Sequence, residues 1–187
     1  MHSFQIELLK SENREDLISC LEILQEAFGN WFSEESVHAM ASNPDYFIAI
    51  IRTHGRIGFV GMATRKVNAE AKFGVYGTEP QALLKGKRVG LIESCATAPY
   101  ARGRGMAFQA FSYLIQLLKD SGCELIAASS WNWGKKDQSK GIFERMGFQT
   151  MAEVTGEAYR QTNLKGGPCH VCGIPCHCST SFLVLKA

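Results

Sequence analysis

The sequence predicts a single-domain α/β protein, residues 1–187, built on a mixed sheet of about seven strands with helices on both faces. Three observations carry that expectation. The chain has 187 residues, the size of one ordinary domain. Apolar residues make up 45% and charged residues 20%, the mix of a water-soluble protein whose core needs no disulfide framework. Strand and helix periodicities alternate, in the order strand, two helices, three strands, helix, strand, helix, two strands.

Ser3 to Leu9 alternates as a first strand. Asn13 offers an N-cap with Asp16 three residues on, and Leu17, Leu21, Leu24 and Phe28 recur at helical spacing. A second short helix runs from about Ser33 to Met40, ending before Asn43-Pro44. Tyr46 to Arg52 and Ile57 to Lys66 are strands that His54-Gly55 joins as a hairpin. Val67 to Arg88 contains Gly74, Gly77, Pro80 and Gly86 and reads as a long irregular connection. Val89 to Ala98 is the next strand. Ala107, Ala110, Phe111, Leu114, Ile115 and Leu118 then form the apolar stripe of a helix that stops at Gly122. Cys123 to Ser129 is apolar on both faces, as a central strand is. Asp137 caps a short helix to Met146, closed by Gly147. Phe148 to Val154 and Ser179 to Lys186 are the final strands, and a cysteine-rich insertion at 166–179 lies between them.

A net charge of +2 is too near neutral for a nucleic-acid-binding or membrane surface. The densest apolar run, Tyr46 to Ile51, is far short of a membrane span. The start, MHSFQIELLKSENRED, lacks a basic segment followed by an apolar run and a cleavage site. A cytoplasmic protein with no nucleic-acid and no membrane partner is therefore expected; a homodimer is left open.

The stretch richest in chemistry is LIESCATAPYARGRGMAFQAF, Leu91 to Phe111. A strand ends at Pro99, a glycine turn follows, and an amphipathic helix begins at about Gly105. Such a turn places unpaired backbone N–H groups at the positive end of a helix dipole, a site suited to a diphosphate. Gly103 and Gly105 bring the main chain close to the ligand, and Arg102 and Arg104 add charge. No Gly-Lys-Ser/Thr closes the turn, so it is not a P-loop; Phe108 stands where a dinucleotide fingerprint needs its third glycine. The segment does fit Arg/Gln-x-x-Gly-x-Gly/Ala, as Arg102-Gly103-Arg104-Gly105-Met106-Ala107.

That pattern, with its strand and helix, resembles the GNAT family of N-acetyltransferases. The element order agrees, and Ser139 to Phe148 resembles the family's helix that ends in an aromatic, three residues and Gly-Phe. The resemblance implies a GNAT-like, largely antiparallel sheet and acetyl-CoA as co-substrate. Main-chain amides of residues 102 to 107 would hold the pyrophosphate, and Cys95-Ala96-Thr97 would hydrogen-bond the pantetheine arm like another strand. The strand would splay from its neighbour, and the thioester would lie in the gap. The acetyl group would pass directly to an amine acceptor, small molecule or protein/peptide.

Glu93 is the catalytic candidate for deprotonating the amine. It stands nine residues before Arg102, flanked by apolar Leu91 and Cys95, and partial burial there favours a base of useful strength. A structural carboxylate that binds a cation or a backbone group is the alternative. A backbone N–H near Ala96 or Thr97 would hold the carbonyl oxygen. Many family members carry a tyrosine as general acid where this chain has Phe143, and an asparagine where it has Lys136. Trp131-Asn132-Trp133-Gly134 lines an acceptor pocket or covers the sheet edge. Cys95 has no histidine near it in sequence, so a nucleophilic role is disfavoured.

Cys20, Cys95 and Cys123 are scattered in apolar segments, whereas Cys169, Cys172, Cys176 and Cys178 crowd into ten residues. Cys-x-x-Cys-Gly at 169–173 has the form of a metal knuckle, and four thiolates suit tetrahedral zinc. His170 or His177 could replace a thiolate. Free or redox-active thiols, disulfides and an iron–sulfur cluster stay open. The leading function is acetyl-CoA-dependent N-acetyl transfer; the alternative is a CoA-binding, zinc-stapled interaction or thiol/metal-sensing module with little turnover.

Overall fold

The structure is a computed structural model and describes residues 4–132, 139–164, 166–169 and 172–187. Its strands are β1 (Gln5–Leu8), β2 (Tyr46–Thr53), β3 (Arg56–Val67), β4 (Arg88–Thr97), β5 (Leu125–Asn132), β6 (Gln149–Thr155) and β7 (Ser179–Lys186). The helices are α1 (Arg14–Phe28), α2 (Glu34–Ser42), α3 (Thr78–Leu84), α4 (Met106–Asp120), α5 (Ser139–Arg145) and α6 (Gly156–Asn163). Two 3-10 segments, Ala69–Tyr76 and Pro99–Ala101, complete the set. The strands form one sheet in the order β1-β2-β3-β4-β5-β7-β6, antiparallel at β1·β2, β2·β3, β5·β7 and β7·β6. The anticipated α/β sheet is therefore present. Among the described residues no helix is long and apolar enough to cross a membrane.

Local chemistry starts these elements where the sequence indicated. Asn13 Oδ1 accepts the Asp16 N–H at 3.2 Å and caps α1. Ser33 and Ser36 cap α2 reciprocally, each side chain accepting the other's backbone N–H. His54 and Gly55 both take positive φ, 51° and 77°, the handedness a two-residue hairpin needs to match strand twist. The cap assigned to Asp137 lies outside the described residues.

The chain divides into two compact units, and β4 contributes to both. The first comprises the described residues up to Arg65 together with Ile92–Ser121. There Ile48, Ile50, Val60 and Met62 pack with Leu17, Cys20 and Leu24 of α1 and Val37 of α2. The alternate residues meet α4: Phe59 stands edge-on to Phe111, with ring centroids 6.1 Å apart. Helices thus cover both faces of this part of the sheet, as strand alternation requires.

The second unit comprises Lys66–Leu91 and the described residues from Gly122 onwards. Phe73, Tyr76 and Leu84 pack on Val89, Leu91, Leu125, Ala127, Phe182 and Val184. Val67 to Arg88 is therefore not irregular but a 3-10 segment followed by α3. Pro80 occupies the third residue of α3, where a missing N–H has no intrahelical partner to lose. Gly77, at φ 101°, makes the reversal between the two segments. β5 also runs on to Asn132, because Ser130, Trp131 and Asn132 pair with Ser181, Thr180 and Ser179 of β7. α6 is new: it follows β6 directly, with Thr155 Oγ1 accepting the Ala158 N–H at 3.3 Å.

Candidate functional site

In the first unit, β4 leads into the glycine turn. Pairing with β3 persists to the strand's end, where Ala98 N–H donates to Gly58 O at 2.9 Å. A Cβ on Gly58 would stand 2.8 Å from Ala101 Cβ and 3.1 Å from Thr53 Cγ2, so only glycine lets the turn press this close to β3. Tyr100 Oη donates to Ile57 O, and Arg56 lies over the Tyr100 ring, 4.7 Å from its centroid. Met106, 2% exposed, anchors the start of α4 in the core. The turn is held by packing and by hydrogen bonds to the edge of β3.

What the turn presents is main chain. Gly103 and Gly105 have φ of 74° and 77°, a conformation costing other residues about 1–2 kcal/mol. A Cβ on either would find nothing within 4 Å. No side chain caps α4. Among the described residues, no hydrogen bond engages the N–H groups of residues 103 to 108, and the first amide bonded back is Gln109, to Gly105 O at 3.4 Å. The Arg102 amide turns inward to Pro99 O at 3.4 Å, so the run of unengaged donors begins at Gly103. Both arginine side chains are exposed beside the turn. Arg102 Nε donates to Thr97 O at 3.4 Å and Arg104 Nη1 to Thr53 Oγ1 at 3.2 Å.

Ala96 is buried against α1 and α2, whereas Cys95 and Thr97 are half-buried. Burial pushes the Cys95 thiol up to about 12, which keeps it protonated and unsuited to nucleophilic attack. Glu93 is half-buried on β4. Tyr46 of β2 lies near enough to feel it: burial and then the Glu93 charge raise the tyrosine hydroxyl above its ordinary value, against a hydrogen bond with Thr64. Sequence reasoning singled out neither Tyr46 nor Gly58, since each acquires meaning only when β2, β3 and β4 are assembled.

In the second unit, Asn132 Nδ2 donates to Ser181 Oγ at 2.9 Å and Ser179 Oγ at 3.4 Å. Both serines donate to Glu153, at 3.0 and 2.9 Å, and Lys140 pairs with it at 2.9 Å. Hydrogen bonds from Lys140 and then the two serines hold the Glu153 carboxyl below the usual range. Trp131 packs against the cysteine pocket and edge-on to Tyr159, 5.0 Å away. Phe143 is buried against Phe148, with centroids 5.1 Å apart. Trp133, Gly134 and Lys136 lie outside the described residues.

The structure brings all four clustered cysteines together. Their sulfurs lie within 4.8 Å of one another, and Cys172 Sγ is 3.6 Å from that of Cys176 and 3.5 Å from that of Cys178. Cys169 and Gly173 exchange backbone hydrogen bonds of 3.2 and 2.9 Å, closing the knuckle read from the sequence. His177 is exposed and presents its backbone N–H, 3.3 Å from Cys172 Sγ. His170 lies outside the described residues.

A largely antiparallel seven-stranded sheet whose fourth strand passes through an amide-rich glycine turn into an amphipathic helix defines the class, an α/β acyltransferase. Residues 17–148 match the model of the Acetyltransferase (GNAT) family, and the chain belongs to that family. It is an acetyltransferase, of a family that moves the acetyl group of acetyl-CoA to an amine. No curated protein sequence matches it. Among solved structures it is similar to the ribosomal-protein-S18-alanine N-acetyltransferase of Escherichia coli, with 14% identity, 98% of this chain and 94% of that one covered, and a TM-score of 0.64. It is similar also to NAA60 of Arabidopsis thaliana in complex with a bisubstrate analogue, at 14% identity, 99% of each chain and a TM-score of 0.68. An acetyltransferase of Bacillus subtilis in complex with CoA gives 15% identity, 99% of each chain and a TM-score of 0.65. At these identities the likeness concerns the fold.

Proposed function

We propose that residues 1–187 form one acetyltransferase domain, with the 166–179 segment inserted, that transfers acetyl directly from acetyl-CoA to an amine. The observation that carries this reading is the run of unengaged main-chain N–H groups from Gly103 at the N-terminus of α4. They form a concentrated positive potential that a diphosphate neutralises, and Arg102 and Arg104 add to it. Residues 95–97 then hold the pantetheine arm along β4 and aim the thioester.

The chemistry needs a neutral amine. Glu93 takes the amine's proton, directly or through water, and the nitrogen attacks the thioester carbonyl carbon. The C–N bond forms while the carbonyl oxygen gains charge, which a backbone N–H near Ala96 or Thr97 stabilises. The attacking nitrogen gives up its extra proton to solvent, and the intermediate collapses with cleavage of the C–S bond, giving an acetylated amine and the CoA thiolate. Phe143 has no hydroxyl to donate, so solvent protonates this weakly basic leaving group. Glu93 returns its proton to water, and the enzyme is regenerated without a covalent intermediate.

The test has two parts. Calorimetric titration of the protein with CoA measures binding at the turn. Release of free CoA thiol from acetyl-CoA, followed against peptide N-termini, lysine peptides, polyamines and aminoglycosides, identifies the acceptor class. Saturable CoA binding with amine-dependent thiol release is the expected result. A folded protein that takes up no CoA sinks the proposal.

A further inference from the structure

We infer that Cys169, Cys172, Cys176 and Cys178 bind one zinc ion in a closed four-sulfur site that fixes the connection between β6 and β7. The inference is independent of the acetyl-transfer reading. Four Zn–S bonds of about 2.3 Å in a tetrahedron set their sulfurs about 3.8 Å apart. Here all four sulfurs fall within 4.8 Å of one another, two of the pairs at 3.5 and 3.6 Å. A disulfide would bring only two sulfurs together, to about 2.0 Å, and would leave no reason for four to converge. An iron–sulfur cluster spreads its thiolates around several metal atoms, farther apart than one ion does.

The surroundings are built for such an ion. Cys169, Cys176 and Cys178 are 3–7% exposed, yet among the described residues no other buried one joins their cluster; of those residues only Trp131 and Cys172, partly buried, pack against it. Among the described residues so small an apolar cluster offers little hydrophobic stabilisation for bringing these four side chains together, and a shared cation supplies what burial does not. Backbone donors point at the sulfurs as they do in thiolate sites: the His177 N–H reaches Cys172 Sγ at 3.3 Å.

A second layer holds the ligands from α6. Glu157 accepts the Cys176 N–H at 3.1 Å and is gripped by Arg160 through two contacts of 2.9 and 2.5 Å. Arg160, itself 5% exposed, donates to the carbonyls of Gly166 and Gly167, just before the first ligand. Gly156 donates to Cys178 O at 2.6 Å. Four sulfurs fill a tetrahedron, so the ion keeps no open position, and its role is structural rather than catalytic. On binding, the thiol protons are released to solvent; no electron is transferred.

The test is elemental analysis of the full-length protein, purified without added metal, together with cobalt substitution. One zinc per chain is expected, exchangeable for cobalt with the visible absorption of a tetrahedral four-thiolate ion. Cys172→Ser should lose the metal, whereas Cys123→Ala should keep it. Since Cys172→Ser could fail to fold, the wild-type cobalt spectrum decides by itself. A folded wild-type chain with no metal and four reactive thiols would falsify the inference. So would cysteines found oxidised in pairs, or a cobalt spectrum of mixed nitrogen or oxygen ligation.

Discussion

Gly105, in the turn before α4, and Gly156, beneath the cysteine pocket, are glycines for opposite reasons. Gly105 has φ of 77° with open space where a Cβ would go; the backbone shape is what requires it. Gly156 carries no such backbone demand, but a Cβ there would stand 2.5 Å from Cys176 Sγ and 2.8 Å from Cys178 O. One region is organised by what its main chain leaves exposed, the other by what its side chains enclose. The contrast teaches that a turn can keep its backbone donors free by leaving space around them, whereas a pocket of convergent thiols needs crowding around it.

Substitutions at the two glycines should separate along that line. The largest effect belongs to Gly105→Glu, which sets a carboxylate among the diphosphate donors. CoA affinity should fall at least ~100-fold, about 3 kcal/mol, while circular dichroism still reports a folded chain. Unchanged affinity by calorimetry would remove the turn as the CoA site. Next comes Glu93→Gln, which asks whether the chemistry lies on the same strand as the turn. A rate loss of ~100-fold is expected, with CoA affinity near wild type and the acidic limb of the pH–rate profile flattened. A wild-type pH profile would end the case for Glu93 as base.

Gly156→Ala reverses the pattern. Overpacking against the sulfurs and a fixed carbonyl should cost about 2 kcal/mol and lower Tm by roughly 4–8 °C. An unaltered melting curve would mean that the pocket is slack, and the contrast between the two glycines would fail. The smallest effect is confined to alkaline pH. Burial pushes the Tyr76 hydroxyl up to about 12, against its hydrogen bonds with Ser129 and Thr180. The unfolded chain ionises near pH 10, so this contribution is present in full below pH 10 and is lost as pH rises towards 12. Its size is on the order of 2–3 kcal/mol. Tyr76→Phe should abolish that part of the alkaline fall in denaturant midpoint, and persistence of the same slope would assign it to other groups.

What could be read along the chain follows from how local each signal is. α1 and α4 announced themselves through a cap and apolar stripes, α2 through the Asn43-Pro44 stop, and the strands through alternation, since all of these depend on neighbours within a few residues. The turn before α4 was legible because left-handed backbone selects glycine, as at Gly103 and Gly105. α6 was not: Gly156 to Asn163 is almost wholly polar, and Tyr159 earns its place only against Trp131 of β5. The helical character of Ala69–Tyr76 and Thr78–Leu84 was hidden by Gly74, Gly77 and Pro80, which punctuate helix boundaries there rather than forbid helices. Gly58 left no trace in the sequence, because its purpose is the absence of a methyl beneath Ala101, a residue of another element. The cysteine spacing showed four thiols close together in the chain, but not that Glu157 and Arg160 would brace the segment that carries them.

β7 pairs on one side with β5 and on the other with β6, though both precede it in the chain. During synthesis its two neighbours therefore emerge first and wait, each with an open edge, for a strand the ribosome has yet to deliver. Premature termination before Ser179 would thus remove the middle of a sheet rather than trim its margin, leaving two sticky flanks for other nascent chains to join.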